Sequence, residues 1–248
     1  MSDASVQTPT ALVTGASRNI GRAIALRLAR LGYDIIVHVG RDLAAGAETA
    51  AGVEALGRRA RVIAADLSDP AQCRSLVETA EATFSRLDAL VNNAALRPES
   101  PFEDITLEEW RRVMGLALEA PFLVSQAAVG PLSRSPHASI VHIGGLTGHT
   151  GAAHRAHVIT AKAGLVGLAK AMAHDLAPRG ITVNCVVPGL IETARTGGAP
   201  AHHAKAANLM GHRGTADDVA EAVAYFCAPS NRYVTGQSLH VNGGAYLA

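Results

Sequence analysis

The sequence predicts an α/β fold: a single domain built on one doubly wound parallel sheet of about seven strands. Three observations predict it. Short apolar runs recur along the chain, a longer stretch of helical periodicity follows each, and no Pro- or Ser-rich linker divides the 248 residues. A chain of this length suits one large domain, and 48% hydrophobic residues supply its core.

ALVT (11–14) opens the sheet, and DIIVHV (34–39), RVIAA (61–65), ALVN (89–92), SIVHI (139–143), ITVNCVV (181–187) and SLHV (238–241) supply its other strands. Between them IGRAIALRLARLG, DLAAGAETAAGVEALG and DPAQCRSLVETAEATFSRL are amphipathic, and AHVITAKAGLVGLAK (156–170) opens a long helix. Strands alternating with helices make βαβ units, whose helices cover both faces and whose ligands bind at the carboxyl ends of the strands. Residues 1–9 are expected to be disordered or extended, with the domain running from 10 to 248.

Composition narrows the function. A formal net charge of +1, no Lys/Arg run and 4% aromatics argue against a nucleic-acid partner. The polar start MSDASVQTPT has no signal-peptide pattern, and no apolar run reads as long enough to cross a membrane. Cys73, Cys185 and Cys227 lie far apart without metal-ligand spacing and read as buried thiols of a cytoplasmic protein.

The first strand runs into TGASRNIGRAIA. Gly15 makes the tight turn, Gly21 lets the next helix pack closely, and that helix's N-terminus offers N–H groups to a pyrophosphate. The pattern is that of a Rossmann-type loop, although a plain glycine turn would share its composition. TGASRNIG resembles the TGxxxGxG motif of the short-chain dehydrogenase/reductase family, with Asn19 at the middle glycine, where Asn tolerates positive φ.

The resemblance continues through Ala65-Asp66-Leu67, Asn92-Asn93-Ala94-Ala95, Pro188-Gly189-Leu190-Ile191-Glu192-Thr193, Thr235-Gly236-Gln237 and Asn242-Gly243-Gly244. It implies a nucleotide held by Gly15, Ser17, Arg18, Asn19, Ile20 and Gly21, by Asp66 and Leu67 at the adenine, by Asn93 and Ala94, and by Pro188, Gly189, Ile191 and Thr193 at the nicotinamide carboxamide. Relatives that prefer NAD usually end the second strand on an acid, which bonds the ribose 2′-hydroxyl. Here Val39 ends it, followed by Gly40 and Arg41. Arg41 and Arg18 could pair with a 2′-phosphate, which favours NADP(H) over NAD(H). As ordinary surface charges they would carry no such meaning.

The family's reductases resemble one another in four catalytic residues: an Asn, a Ser and Tyr-x-x-x-Lys. Lys162 matches the lysine and is expected to hold the cofactor ribose. The tyrosine position is Val158, the serine position Gly145 and, with Trp110 and Phe122 in register, the asparagine position Ala117. None of these three can donate a proton, so the usual tyrosine mechanism is not available. Lys162 could alternatively be a lysine snorkelling from an apolar helix.

A surrogate acid is sought among nearby histidines. If the helix already includes the preceding turn, His154 and Arg155 share the face of Val158. His157 points elsewhere, His142 reads as packed within its strand, and Thr147 or Thr150 could orient a carbonyl. For each histidine a surface or packing role is the simpler alternative, and no ligand set suggests a metal. Arg97 and Arg155 are expected at the substrate pocket with Gly145 and Val158, where two guanidiniums would favour an anion such as a carboxylate. The segment TARTGGAPAHHAKAANLM corresponds to the family's variable substrate lid, and its His202 and His203 read as exposed.

Three readings follow: an oxidoreductase of small carbonyl or hydroxyl substrates with a nonstandard proton donor, a cofactor-binding pseudoenzyme or partner subunit, and a non-redox lyase or isomerase. Ala161, Ala163, Gly164, Gly167 and Ala171 make a small-residue face. By resemblance it suits a homo-oligomer, tetramer or dimer, or pairing with a relative.

Overall fold

The computed structural model describes residues 8–193 and 208–247. Its sheet has seven parallel strands in the order β3-β2-β1-β4-β5-β6-β7. They are β1 (Thr10–Val13), β2 (Asp34–Val39), β3 (Ala60–Ala64), β4 (Ala89–Asn92), β5 (Ser139–Ile143), β6 (Thr182–Pro188) and β7 (Ser238–Val241). The helices are α1 (Asn19–Arg30), α2 (Leu43–Ala55), α3 (Pro70–Phe84), α4 (Leu107–Met114), α5 (Ala120–Leu132), α6 (Thr147–Thr150), α7 (Ala156–Leu176) and α8 (Ala216–Cys227). The order reverses between β1 and β4, which is where a doubly wound sheet opens its binding crevice.

β1, β2, β4, β5 and β6 are buried along their whole length, so the sheet needs apolar residues pointing both ways. On one face Ile24 and Leu28 of α1 and Val219 and Val223 of α8 pack on Val13, Val37 and Val91. On the other, Leu76 of α3, Val124 of α5 and Ala169 of α7 cover Leu12, Leu90, Ile140 and Val183. Each fully buried Leu or Val contributes about 1.5–3 kcal/mol. Cys73, Cys185 and Cys227 are buried free thiols, as the sequence suggested.

The apolar segment Leu107–Leu132 forms one run of helix 26 residues long and apolar enough to cross a membrane by length and composition. This corrects the expectation that the chain has no such run. In the fold its apolar residues serve two neighbours, the sheet on one side and α7 on another. A π turn over Gly115–Glu119 interrupts it. Pro121 explains the turn: it has no N–H to give the Ala117 carbonyl four residues back, and its ring crowds that carbonyl.

The amino ends of the strands are tied by Asp88, just before β4. Its carboxylate accepts from the Thr10 N–H (2.8 Å), the Arg86 guanidinium (2.5 and 2.7 Å) and the Ser135 hydroxyl (2.5 Å). Buried at 1% exposure, it joins β1, β4 and the end of α5. Removing one partner of such a buried network leaves the others desolvated without compensation, at a cost of about 3 kcal/mol. Asp88→Ala is therefore expected to lower the melting temperature by several degrees in a thermal scan, with Asp88→Asn in between.

Candidate functional site

The site is assembled at the carboxyl ends of the strands, starting with the loop after β1. Gly15 adopts φ +63° and Asn19 φ +49°, so asparagine takes the left-handed conformation expected of it. A Cβ on Gly21 would lie 2.2 Å from the Gly15 carbonyl oxygen and 2.6 Å from Asn93 Nδ2, and one on Gly15 would meet Ala94 Cα at 3.0 Å. These glycines are what allow the loop, α1 and the end of β4 to close on one another. Arg18, in extended backbone, gives α1 no side-chain cap, and a helix N-terminus is a favourable place for an anion.

Three side chains hold this loop. Thr14 Oγ1 accepts from the N–H groups of Asn93 (2.9 Å) and Ala94 (3.1 Å), and Asn93 Nδ2 donates to the carbonyls of Thr14 (2.9 Å) and Gly15 (3.0 Å). The Gly15 N–H donates to His38 Nδ1 (3.1 Å), while His38 Nε2 contacts the Ala65 carbonyl (3.0 Å). That pairing fixes the neutral tautomer with its proton on Nε2, and burial pushes the imidazole below its ordinary value. The sequence reading missed His38. Its signal was a polar residue inside the otherwise apolar run DIIVHV.

Beyond β2 and β3, Arg41 and Asp66 are exposed and near neighbours, whereas Leu67 is buried. Bonds from the Ser68 hydroxyl and N–H, with a smaller contribution from Arg41, hold the Asp66 carboxyl below the usual carboxylate range. At the far side the Gly189 N–H bonds the Val241 carbonyl, and a Cβ on Gly189 would strike Asn242 at 2.7 Å. The Pro188 carbonyl accepts from Leu146, and Ile191 bridges to Gly214, so the run toward Thr193 is anchored at the end of β6.

Lys162 lies between these halves. It is 6% exposed, and its ammonium donates to the Ile143 carbonyl at 2.5 Å. Burial, with repulsion from Arg97 and Arg155, pushes it down to about 8. Gly145 faces the lysine stem, since a Cβ there would sit 3.6 Å from Lys162 Cγ, an ordinary contact. Val158 and Ala117 are each 1% exposed. His142, fully buried, accepts from Asn92 Nδ2 at 3.3 Å and is pushed to about 3 by burial, as suits a packed residue.

The structure does not place His154 as the sequence reading supposed. α7 begins at Ala156, and His154 is an exposed turn residue at φ +60° whose carbonyl accepts from Ser100 N–H (2.9 Å). The helical face it was to share with Val158 does not extend that far. Arg155 does turn inward, at 6% exposure, with Nη1 4.0 Å from Glu99 Oε1. His157, dismissed on the sequence, is fully buried with Nε2 3.2 Å from Glu109 Oε1, the oxygen that also accepts from Ser100 Oγ at 2.8 Å. The lid residues 194–207, with His202 and His203, lie outside the described residues.

Comparison with known proteins agrees with this geometry. Residues 15–246 match the family described as enoyl-(acyl carrier protein) reductase. The chain is 38% identical over 241 residues to 3-oxoacyl-(acyl-carrier-protein) reductase FabG of Escherichia coli K12, covering 96% of this chain and 97% of that one. Among solved structures, a short chain dehydrogenase from Burkholderia cenocepacia J2315 in complex with NADP is 37% identical with a TM-score of 0.91, covering 97% and 98% of the two chains. A blue fluorescent protein from a metagenomic library, in complex with NADPH, is 37% identical with a TM-score of 0.90, covering 96% and 98%.

Because the atoms nearest a Gly21 Cβ belong to backbone and to Asn93, the loop must shift to admit one. Gly21→Ala is expected to strip hydrogen-exchange protection from the Gly15, Asn93 and Ala94 amides, leaving those of β5 and β6 protected. Unchanged protection at all three would mean that the closure is not what Gly21 secures.

Proposed function

The chain belongs to the short-chain dehydrogenase/reductase family, and we propose that it binds NADP(H) and moves a hydride to or from a small carbonyl or hydroxyl substrate, with Lys162 as the proton carrier. The observation that carries this reading is the contrast within one crevice. The loop after β1, which would hold the nucleotide, is braced by Thr14, Asn93 and His38, whereas by resemblance Val158, Gly145 and Ala117 would stand where the family's reductases carry Tyr, Ser and Asn.

What supports the fit to the nucleotide is the loop after β1, which Gly15 and Gly21 allow to close against α1 and the end of β4, with Arg18 giving α1 no side-chain cap. Gly15, Ser17, Arg18, Asn19, Ile20 and Gly21 would take the pyrophosphate, Arg41 with Arg18 the 2′-phosphate, Asp66 and Leu67 the adenine, and Asn93 and Ala94 the adjoining ribose side. Pro188, Gly189, Ile191 and Thr193 would take the carboxamide, and Lys162 the nicotinamide ribose. When bound, the nicotinamide supplies or accepts the hydride. NADP and NADPH complexes of relatives at 37% identity support the cofactor assignment.

The proton then has to come from a group that touches the reacting oxygen. His154 is exposed on its turn and does not meet that need. We assign that role to Lys162: it lies buried beside Gly145, and burial with two nearby cations pushes its ammonium down to about 8. A general acid works best when its pKa lies near the working pH. The carrier must be protonated for reduction, so the rate should fall as pH rises through about 8 and the ammonium is lost.

A second reading, a cofactor-binding partner subunit, is favoured by the apolar concavity between α4, α5 and α7. Met114, Leu118, Phe122, Gly164 and Leu168 line it, and Phe122 is exposed. An apolar face of this kind suits a second helix pair, from another copy or from a relative. Under either reading we infer an oligomer, a tetramer or dimer, and a cytoplasmic protein.

The deciding experiment is single-turnover oxidation of bound NADPH by a panel of ketones, oxo acids and imines, run on the protein and on Gly145→Ser/Val158→Tyr. Slow oxidation that declines above pH 8, accelerated at least tenfold in the double variant, is expected. No oxidation by the natural sequence across the panel, with NADPH still bound, would replace the enzyme reading with the partner-subunit one.

A further inference from the structure

We propose that His38 is a positioning residue for the nucleotide and makes its site sensitive to acid: the loop after β1 keeps its closed form only while His38 Nδ1 carries no proton. The inference deepens the reading of that loop as the cofactor site, and rests on it.

His38 reaches both halves of the site from inside the sheet. It takes two successive amides of the loop, since the Gly15 N–H donates to Nδ1 at 3.1 Å and the Ala16 N–H to the His38 carbonyl at 2.9 Å. On its other side Nε2 meets the Ala65 carbonyl at 3.0 Å, where the Ala65-Asp66-Leu67 run begins. One residue of β2, 2% exposed, thus ties the turn that would meet the pyrophosphate to the wall that would meet the adenine. Thr49 on α2 holds Ala16 as well, its hydroxyl donating to the Ala16 carbonyl at 3.0 Å.

These two ring contacts are satisfied by one protonation state. The Ala65 carbonyl can only accept and the Gly15 amide can only donate, so Nε2 must carry the proton and Nδ1 must not. A proton on Nδ1 sets N–H against N–H and leaves the Gly15 amide without its acceptor. Gly15 in turn bonds the end of β4, its carbonyl accepting from Asn93 Nδ2 at 3.0 Å. A displaced Gly15 therefore disturbs the closure on both sides of the crevice.

The elements around the ring carry few titratable or charged groups. Arg18 follows on the loop, Asp34 sits at the far end of β2 paired with Arg59, and Arg41 lies beyond the near end. Asp66 and Asp69 follow β3, and Cys73 on α3 is a thiol pushed up to about 11, chiefly by burial. Arg18, Arg41 and Asp66 are exposed. On His38 itself burial is the largest influence, and it favours the neutral ring against the opposing Ala65 bond. The closed loop therefore belongs to neutral pH, and the protonated ring appears only as pH falls.

Below the His38 midpoint the fraction of protein with a neutral ring falls tenfold per pH unit, and apparent nucleotide affinity falls with it. Calorimetry with NADP⁺ is expected to show that extra tenfold per unit in the natural protein and not in His38→Asn, whose Oδ1 can accept from Gly15 but takes no proton. The variant also controls for the 2′-phosphate, which titrates near pH 6. The loop is read without nucleotide or substitution by NMR of the His38 ring and the Gly15 amide as pH is lowered from about 8, with amides of β5 and β6 reporting an intact sheet. Ring and Gly15 amide are expected to shift with one midpoint. A Gly15 amide unmoved while the ring protonates, a ring still neutral when the sheet melts, or equal slopes in the two proteins overturns the inference. If NADP⁺ fails to bind at every pH, the cofactor reading falls, and the shared midpoint still decides whether His38 controls the loop.

Discussion

The structure depends on a hydrogen-bond knot at the reversal of the sheet, where Thr14 and Asn93 each bond the other's backbone. β1 and β4 are neighbours whose following chains depart in opposite directions, which opens a crevice that would leave backbone groups desolvated and unmet. Thr14 Oγ1 and Asn93 Nδ2 meet four of them with two side chains. Buried backbone groups left without a partner would cost about 1–3 kcal/mol each, so the knot is both a closure and a template. With it in place, Gly15 takes its positive φ, His38 reaches the Gly15 N–H, and α1 presents its uncapped end.

The same crevice is built in two styles. Its nucleotide side is a lattice of short, directional bonds between fixed elements. On its other side Gly145 lies against the stem of the buried Lys162, whose ammonium bonds the Ile143 carbonyl. The Ser100–Glu109–His157 contacts, with the Ser100 N–H on the His154 carbonyl, tie the loop after β4 to α4 and to the start of α7.

Much of this was legible in the sequence. β2, β4, β5 and β7 fall on the apolar runs that announce them, and β1, β3 and β6 differ by one residue, because strand ends depend on pairing rather than composition. Asn19 in the left-handed region could be read from its place in a glycine pattern. The start of α7 could not: Arg155 offers no side-chain cap and nothing before Ala156 signals one, while positive φ at Gly151 and His154 breaks the chain just upstream. His38, Asp88 and the His157–Glu109 contact were invisible for another reason. Each has a partner between 23 and 78 residues away, which only the assembled sheet and helices bring near.

The central claim is that the nucleotide side is live and shaped for a 2′-phosphate although the usual proton donors are gone. Fluorescence titration of the purified protein with NADPH and, separately, with NADH tests it most directly. The account predicts saturable NADPH binding at least tenfold tighter than NADH, with that preference lost in Arg41→Ala. Absence of binding by either nucleotide, or equal affinity for both, would contradict it.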